Sequence, residues 1–160
     1  MRIREGEVTG PDESRLLADY FAYRAEAFPQ RGAYVVTGPM PADYAPGHGV
    51  FLVVEDDDDT AVGCAGLRML DTASEDGPRA EVKHVWLTPA ARGHGWARDL
   101  MAELERRAVG LGAVELVLDT HHTLDGAARL YAREGFREIA AYNDNPNATR
   151  WYGKRIGLAQ

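Results

Sequence analysis

The chain of 160 residues contains little that could cross-link it or hold it in a membrane. Its only cysteine, Cys64, excludes an intrachain disulfide and a zinc site built from several cysteines. One cysteine also suits a reducing cytoplasm. The longest clearly apolar run, residues 50–54, is far too short to span a bilayer. No apolar segment follows the opening "MRIRE", so no signal peptide is visible. These absences predict a cytoplasmic protein that has no membrane partner.

Basic residues are also in short supply, because 18 Lys and Arg face 25 Asp and Glu and give a net charge of −7. General binding to nucleic acid or to anionic membranes needs a basic surface, so neither is expected as a partner. The length and the hydrophobic share of 45% are those of one globular domain with its own core. We therefore treat residues 1–160 as a single domain.

Periodicity along the chain predicts the order β, α, long loop, β, β, β, α, β, α, β, β. A helix is expected from about residue 11 to 27, and residues 29–49 are rich in Pro and Gly and are typical of a loop. The strand–helix–strand unit over 79–120 implies two parallel strands, because a helix crosses between them. The flanking hairpins imply antiparallel neighbours. The fold class is therefore α/β or α+β with a mixed sheet.

Residues 89–100, "PAARGHGWARDL", place a basic, glycine-containing turn directly before a predicted helix. The first N–H groups of a helix have no partner within the helix, and its dipole favours an anion there. Gly93 and Gly95 let a ligand approach the backbone, and Arg92 adds a charge that suits phosphate. The stretch predicts a phosphate or pyrophosphate site. A plain strand-to-helix turn, with glycines only for geometry, is the alternative.

Two nucleotide-binding motifs do not fit this turn. A P-loop ends in Gly-Lys-Ser/Thr, which is missing here. A dinucleotide-binding turn that uses Gly93 and Gly95 would need Gly or Ala at position 98, where the chain has Arg98.

The same stretch, "ARGHGWARDLM", resembles the acyl-CoA binding motif [Q/R]-x-x-G-x-[G/A] of the GNAT superfamily of N-acyltransferases. Arg92, Gly95 and Ala97 match the defined positions. "AARLYAREGFREIAAY" and "NATRWYGKRI" resemble later segments of the family in the correct order. The resemblance covers about residues 50–157 and implies that they form an acyl-CoA-binding core. Residues 1–49 would form a helix and loop that shape the substrate site.

Membership of that family would imply a mixed central β-sheet with a splay between two parallel strands, flanked by helices. It would also imply an N-acetyltransferase that uses acetyl-CoA as cosubstrate. The acetyl group would move to a primary amine of a small molecule or peptide by direct attack in a ternary complex. A non-catalytic sensor or interaction module that binds acyl-CoA is the alternative, since fold does not fix function. A homodimer is compatible with the resemblance.

Two side chains match catalytic positions of the family. Glu81 is expected to be the general base, acting directly or through a water, and Tyr131 the acid that protonates the leaving thiolate. Alternatively, Glu81 pairs with a basic neighbour and Tyr131 is a core residue. The Leu87 N–H is the expected donor to the oxyanion, with Val85 and Trp86 along the pantetheine arm. The full set expected to bind the cofactor is Val85, Trp86, Leu87, Arg92, Gly93, His94, Gly95, Trp96 and Ala97.

The acceptor site is expected among aromatic and basic residues of the first helix and the long loop: Tyr23, Arg24, Phe28 and Tyr34. Arg24 could bind a substrate carboxylate or remain a surface charge. Aromatic residues at helical spacing are more often part of a core.

A metal enzyme is a further rival, because His84, His94, His121 and His122 could cluster with Glu81. Adjacent His121 and His122 would point apart in an extended segment, and Glu81 and His84 would lie on opposite strand faces. No His-x-x-x-His pattern occurs on a predicted helix. We therefore expect no metal.

Overall fold

The computed structural model describes residues 1–157, and its elements follow the predicted order. The helices are α1 (Pro11–Ala27), α2 (Trp96–Gly110) and α3 (Asp125–Arg133), and short 3-10 helices occupy Pro41–Tyr44 and Pro89–Ala91. The strands are β1 (Arg2–Glu5), β2 (Gly49–Glu55), β3 (Ala61–Met69), β4 (Arg79–Leu87), β5 (Glu115–Thr120), β6 (Arg137–Ile139) and β7 (Arg150–Arg155).

The seven strands of the described chain form one sheet in the order β1-β2-β3-β4-β5-β7-β6. The pair β4–β5 is parallel, and the other neighbours are antiparallel. Pairing between β4 and β5 covers only Arg79–Glu81 against Glu115–Val117. Beyond that point the two strands separate, although β4 continues to Leu87. The expected mixed sheet with a splay between its parallel strands is confirmed.

A bulge in β4 lies where the strands part. The β3–β4 register shifts between Cys64 and Gly66, and His84 opposite has φ 55°, in the left-handed region. A bulge bends its strand and increases the local twist. We infer that it helps to turn the end of β4 away from β5.

Each face of the sheet carries its own core. Side chains of β2 alternate between the faces, and all seven of its residues are buried. Val50, Leu52 and Val54 pack in the cluster that contains α2, whereas Phe51 and Val53 pack in the cluster that contains α1. The helices therefore fix the position of the sheet from both sides.

Residues 28–48 connect α1 to β2 without long regular structure, as predicted. The side chain of Asn147 ties this loop to the β6–β7 connection. Its Nδ2 donates to Val35 O at 2.6 Å, and Val35 N donates to its Oδ1 at 2.9 Å. Asn147 is buried, so this double contact is shielded from water.

No helix within residues 1–157 combines the length and the apolar character that crossing a lipid bilayer requires.

Candidate active site

A cavity of about 630 Å³ lies on the α1 side of the sheet, where β4 and β5 part. Its walls come from α1, the loop before β2, the end of β5, the start of α3 and residues 143–147. Cavities of this size are typical of sites for small molecules.

The diverging end of β4 presents unpaired backbone donors to the gap. Thr88 N donates to Val62 O of β3, and successive N–H groups of a strand point to alternate sides. The N–H groups of Leu87 and Val85 therefore face β5, which no longer pairs with β4 there. Val85 and Trp86 line the cavity, whereas Leu87 is not among its lining residues. Sequence reasoning singled out Leu87 as a donor, and the structure adds Val85.

Glu81 is fully buried at the last paired position before the splay. Its Oε1 accepts from Arg68 Nε at 2.9 Å, and its Oε2 accepts from the Tyr142 hydroxyl at 2.7 Å. Lys83 Nζ lies 3.7 Å from Oε1. Glu81 does not line the cavity. Glu81 instead contacts residues that line the cavity, since Arg68 and Lys83 do so and Asn143 Nδ2 lies 3.5 Å from Oε2. Its role as a general base stays a prediction.

Asp119 is the cavity carboxylate that sequence reasoning missed. It follows the apolar run "LVL" of β5 and lines the cavity beside the splay. Its Oδ2 accepts from Asn143 Nδ2 at 2.7 Å, and its Oδ1 accepts from Asn145 Nδ2 at 3.1 Å. An acidic residue at the end of a buried strand was the available signal. The turn-rich segment "NDNPN", residues 143–147, supplies both amide donors to this carboxylate.

Tyr131 points inward from α3 and lines the cavity, in agreement with its expected position. Its ring packs against Phe136 and Tyr152 at centroid distances of 5.8 and 6.0 Å. Burial raises the pKa of Tyr131 to about 12, although Arg24 acts in the opposite direction. Its hydroxyl is therefore protonated at neutral pH and can donate a proton.

The ring of His84 lies in the cavity wall between Tyr20 and Phe21, with centroid distances of 5.5 and 5.6 Å. Burial lowers the pKa of His84 to about 3, and the nearby cations Lys83 and Arg68 lower it further. Its buried Nδ1 has no hydrogen-bond partner within the described chain. The imidazole is therefore neutral at physiological pH.

Three of the four predicted acceptor residues line the cavity: Tyr23, Arg24 and Tyr34. Phe28 lies outside its lining and packs against Tyr34 and His121 at 5.7 and 5.0 Å. Phe28 therefore supports the wall rather than forming it.

The turn before α2 has the geometry expected of an anion site. Gly93 and Gly95 both have φ 81°, and a Cβ built on either would meet no atom within 4 Å. Both positions thus leave open space beside the first turn of α2, and a phosphate group fits that arrangement. His94 stacks on Trp96 at 4.9 Å, and Ala97 follows in the first helical turn.

Arg92 links the turn to β4 and α1. Its guanidinium carbon lies 4.9 Å from the centre of the Trp86 ring and 5.5 Å from that of Tyr23. Its Nε donates to Leu87 O at 3.1 Å. Its side chain is exposed, and its expected contact with a phosphate stays a prediction.

The family model for the acetyltransferase (GNAT) family matches residues 15–136. The chain belongs to the GNAT family. The chain is also 36% identical over 104 residues to an uncharacterized N-acetyltransferase of Schizosaccharomyces pombe. That alignment covers 64% of this chain and only 61% of the relative.

Solved GNAT structures share the fold along almost the whole chain. An acetyltransferase from Staphylococcus aureus Mu50 superposes with a TM-score of 0.77 at 16% identity, covering 98% of this chain and 99% of the other. A phosphinothricin acetyltransferase from Sinorhizobium meliloti, solved with acetyl-CoA, gives 0.64 at 17% identity, covering 98% and 88%. At these identities the likeness shows the fold alone.

No group of three or more His, Cys, Asp or Glu side chains in residues 1–157 is arranged to hold a metal ion. His84 lines the cavity and His94 lies in the turn before α2. The expectation that His121 and His122 point apart is wrong, because β5 ends at Thr120 and the two rings stack at 4.4 Å in the segment that follows.

Proposed function

We propose that this GNAT protein transfers an acetyl group from acetyl-CoA to a primary amine, by direct attack in a ternary complex. The observation that carries the proposal is that three suitable residues line the cavity at the splay. They are Val85 with its backbone N–H, the protonated Tyr131 and the carboxylate Asp119. This combination meets the needs of acyl transfer, since a donor, an acid and a base are all present.

Acetyl-CoA, when bound, supplies the acetyl group as a thioester. The turn from Gly93 to Ala97 would hold its pyrophosphate through backbone N–H groups at the start of α2. The strand edge at Val85 and Leu87 would pair with the pantetheine arm as an added strand does. The Val85 N–H would stabilise negative charge on the thioester oxygen, since Val85 lines the cavity beyond the last β4–β5 pair.

Two protons must move during the transfer. The acceptor amine is mostly an ammonium at neutral pH and must lose a proton before it attacks. Asp119 is placed to accept this proton, since it lies in the cavity and its hydrogen bonds come from neutral amides. Tyr131 is placed to return a proton to the leaving sulfur. Glu81 would position Arg68 and Tyr142.

The decisive experiment measures thiol release from acetyl-CoA across a panel of primary amines, with acetylated products identified by mass spectrometry. Turnover with at least one amine is the expected result. Tight binding of CoA without turnover of any amine would contradict the proposal and favour a non-catalytic acyl-CoA sensor.

Variants assign the proton path. Asp119→Asn should lower kcat by about 10²–10⁴-fold, the usual contribution of a general base, and Tyr131→Phe should lower kcat with little change in acceptor KM. Asp144→Asn is the matched control for Asp119→Asn, since Asp144 is exposed and lies between Asn143 and Asn145, which bind Asp119.

Glu81→Gln should mainly lower the melting temperature, because it breaks a buried ion pair. A larger loss of kcat in Glu81→Gln than in Asp119→Asn would return the base role to Glu81.

A further inference from the structure

Two charges of opposite sign in the cavity lack an ionic partner within residues 1–157, namely Arg24 on α1 and Asp119 on β5. We propose that the acceptor is an amino acid, an amine that also carries a carboxylate. Its carboxylate binds Arg24 and its ammonium binds Asp119. This inference rests on the acetyl-transfer function proposed above and specifies its substrate class.

Arg24 is held by aromatic faces alone. Its guanidinium carbon lies 5.6 Å from the centre of the Tyr34 ring and 6.0 Å from that of Tyr20. No carboxylate of residues 1–157 comes within 4.0 Å of its nitrogens. Aromatic contacts fix the direction of a guanidinium but leave its N–H groups free to bind a carboxylate.

Asp119 is held by neutral groups alone. Asn143 and Asn145 each donate one hydrogen bond to it, and no cation of the described chain forms a salt bridge with it. A half-buried carboxylate without a counter-ion is costly unless a ligand supplies one. An acceptor ammonium would do so, and it would then lie beside the splay, where the thioester is expected.

The other charges along the cavity are paired or exposed. Arg68 contacts both Asp43 and Glu81, at 3.0 and 2.8 Å. Lys83 lies 3.7 Å from Glu81, and Asp125 is exposed at the start of α3. The two charges left to be paired in the cavity are therefore Arg24, which needs an anion, and Asp119, which needs a cation. An amino acid brings both, whereas a polyamine brings only cations and a peptide N-terminus has no free carboxylate near its amine.

The two unpaired charges act on the same interior groups. Arg24 lowers and Asp119 raises the pKa of Tyr131, and the same opposition holds at Tyr34 and at His84. Both charges therefore act on the same three groups, and all of them line the one cavity. A zwitterion that bridges Arg24 and Asp119 would occupy the cavity that Tyr131 also lines.

The first arm of the test compares matched acceptors. Each set contains an L-amino acid, its carboxamide and its decarboxylated amine, for example L-phenylalanine, L-phenylalaninamide and 2-phenylethylamine. All twenty common L-amino acids are screened first, and the sets are built on those with the highest turnover. We expect kcat/KM for the carboxylate to exceed that for the other two members at least tenfold. Equal or better use of the amides or plain amines would overturn the proposal.

The second arm uses variants. Arg24→Gln should lower kcat/KM for the amino acid about 10–100-fold, mainly through KM, and lower kcat/KM for the decarboxylated amine at least tenfold less. Arg24→Lys should recover part of the loss, because it keeps the charge. Arg133→Gln is the control, since Arg133 is exposed on α3 outside the cavity. An equal loss for both acceptors in Arg24→Gln would show a structural role only and refute the assignment.

Calorimetry separates this proposal from the transferase function. If no amine releases thiol, amino acid binding to the wild type that is lost in Arg24→Gln would support the site and reject only the catalysis. Absence of thiol release together with absence of amino acid binding would reject both.

Discussion

His84 combines an unusual backbone with an unusual environment. The φ of His84, 55°, is uncommon for a residue other than glycine, although histidine and asparagine adopt this region more often than most residues do. The bulge places the imidazole among aromatic rings, where protonation is unfavourable. The same residue thus shapes β4 and keeps a charge out of the cavity wall.

The pKa of His84 makes stability depend on pH in a defined window. Its folded pKa of about 3 lies below the ordinary value of 6.5, so the unfolded chain binds the extra proton between these values. The His84 contribution is therefore complete above pH 6.5 and is lost as pH falls toward 3. Between pH 7 and pH 5 this group alone should cost about 2 kcal/mol of unfolding free energy.

The measurement is urea unfolding of the wild type and His84→Asn at pH 7, 6 and 5. Asparagine accepts the positive φ and does not titrate, so the variant should lose less stability over this range. Parallel pH profiles for the two proteins would show that His84 becomes protonated without cost in the fold.

The hydrogen-bond partners of Glu81 and Asp119 could not be predicted from the sequence. Alternation along β4 placed Glu81 on one face, but the partner that uses its carboxylate, Arg68, depends on the register of β3. That register shifts at a bulge, which no local sequence pattern predicts. Asp119 depends on a loop that returns 24 and 26 residues later to supply its amide partners. The contacts of both carboxylates therefore depend on residues that are distant in the sequence.

At the scale of elements, the turn before α2 and the helices were the most predictable parts. Their signals are local, since glycine positions and a 3.6-residue period can be read from one segment. The helix expected directly after the glycine-containing turn is found at Trp96–Gly110, and the helix expected over about residues 11–27 at Pro11–Ala27. The end of the first strand depends on a distant contact, since Gly6 N donates to Phe51 O directly after Glu5.

The turn itself gives a prediction about acetyl-CoA binding. Gly95→Ala puts a Cβ into the open space beside α2 and forces a side chain into the left-handed region, at a cost of about 1–2 kcal/mol. We expect the KM for acetyl-CoA to rise at least tenfold while kcat at saturation changes little. Steady-state kinetics with varied acetyl-CoA measure this.

Gly110→Ala is the matched control for that variant. Gly110 ends α2, also has open space at its Cβ position and has no positive φ. It should keep the wild-type KM. A normal KM for acetyl-CoA in Gly95→Ala would exclude the turn as the pyrophosphate site.

At the scale of the whole molecule, one side chain connects the two loops over the cavity. Asn147→Ala removes both contacts with the backbone of Val35, 112 residues away. The loop before β2 should become more mobile, so acceptor KM should rise several-fold and the KM for acetyl-CoA should stay constant. Kinetics with each substrate varied, together with amide exchange at residues 33–40, test this. Asp144→Ala serves as the control, and unchanged exchange in Asn147→Ala would contradict the prediction.

The sheet is divided into two leaves, β1–β4 and β5–β7–β6, which three residue pairs join at the base of a fork. Glu81 lies at the apex and bonds to Arg68 on one leaf and to Tyr142, beyond β6, on the other. This carboxylate thus links the two leaves. Beyond Glu81 there is no β4–β5 pairing for a ligand to break. The binding energy of an acyl donor that pairs with β4 there would therefore go to its alignment and not to the separation of strands.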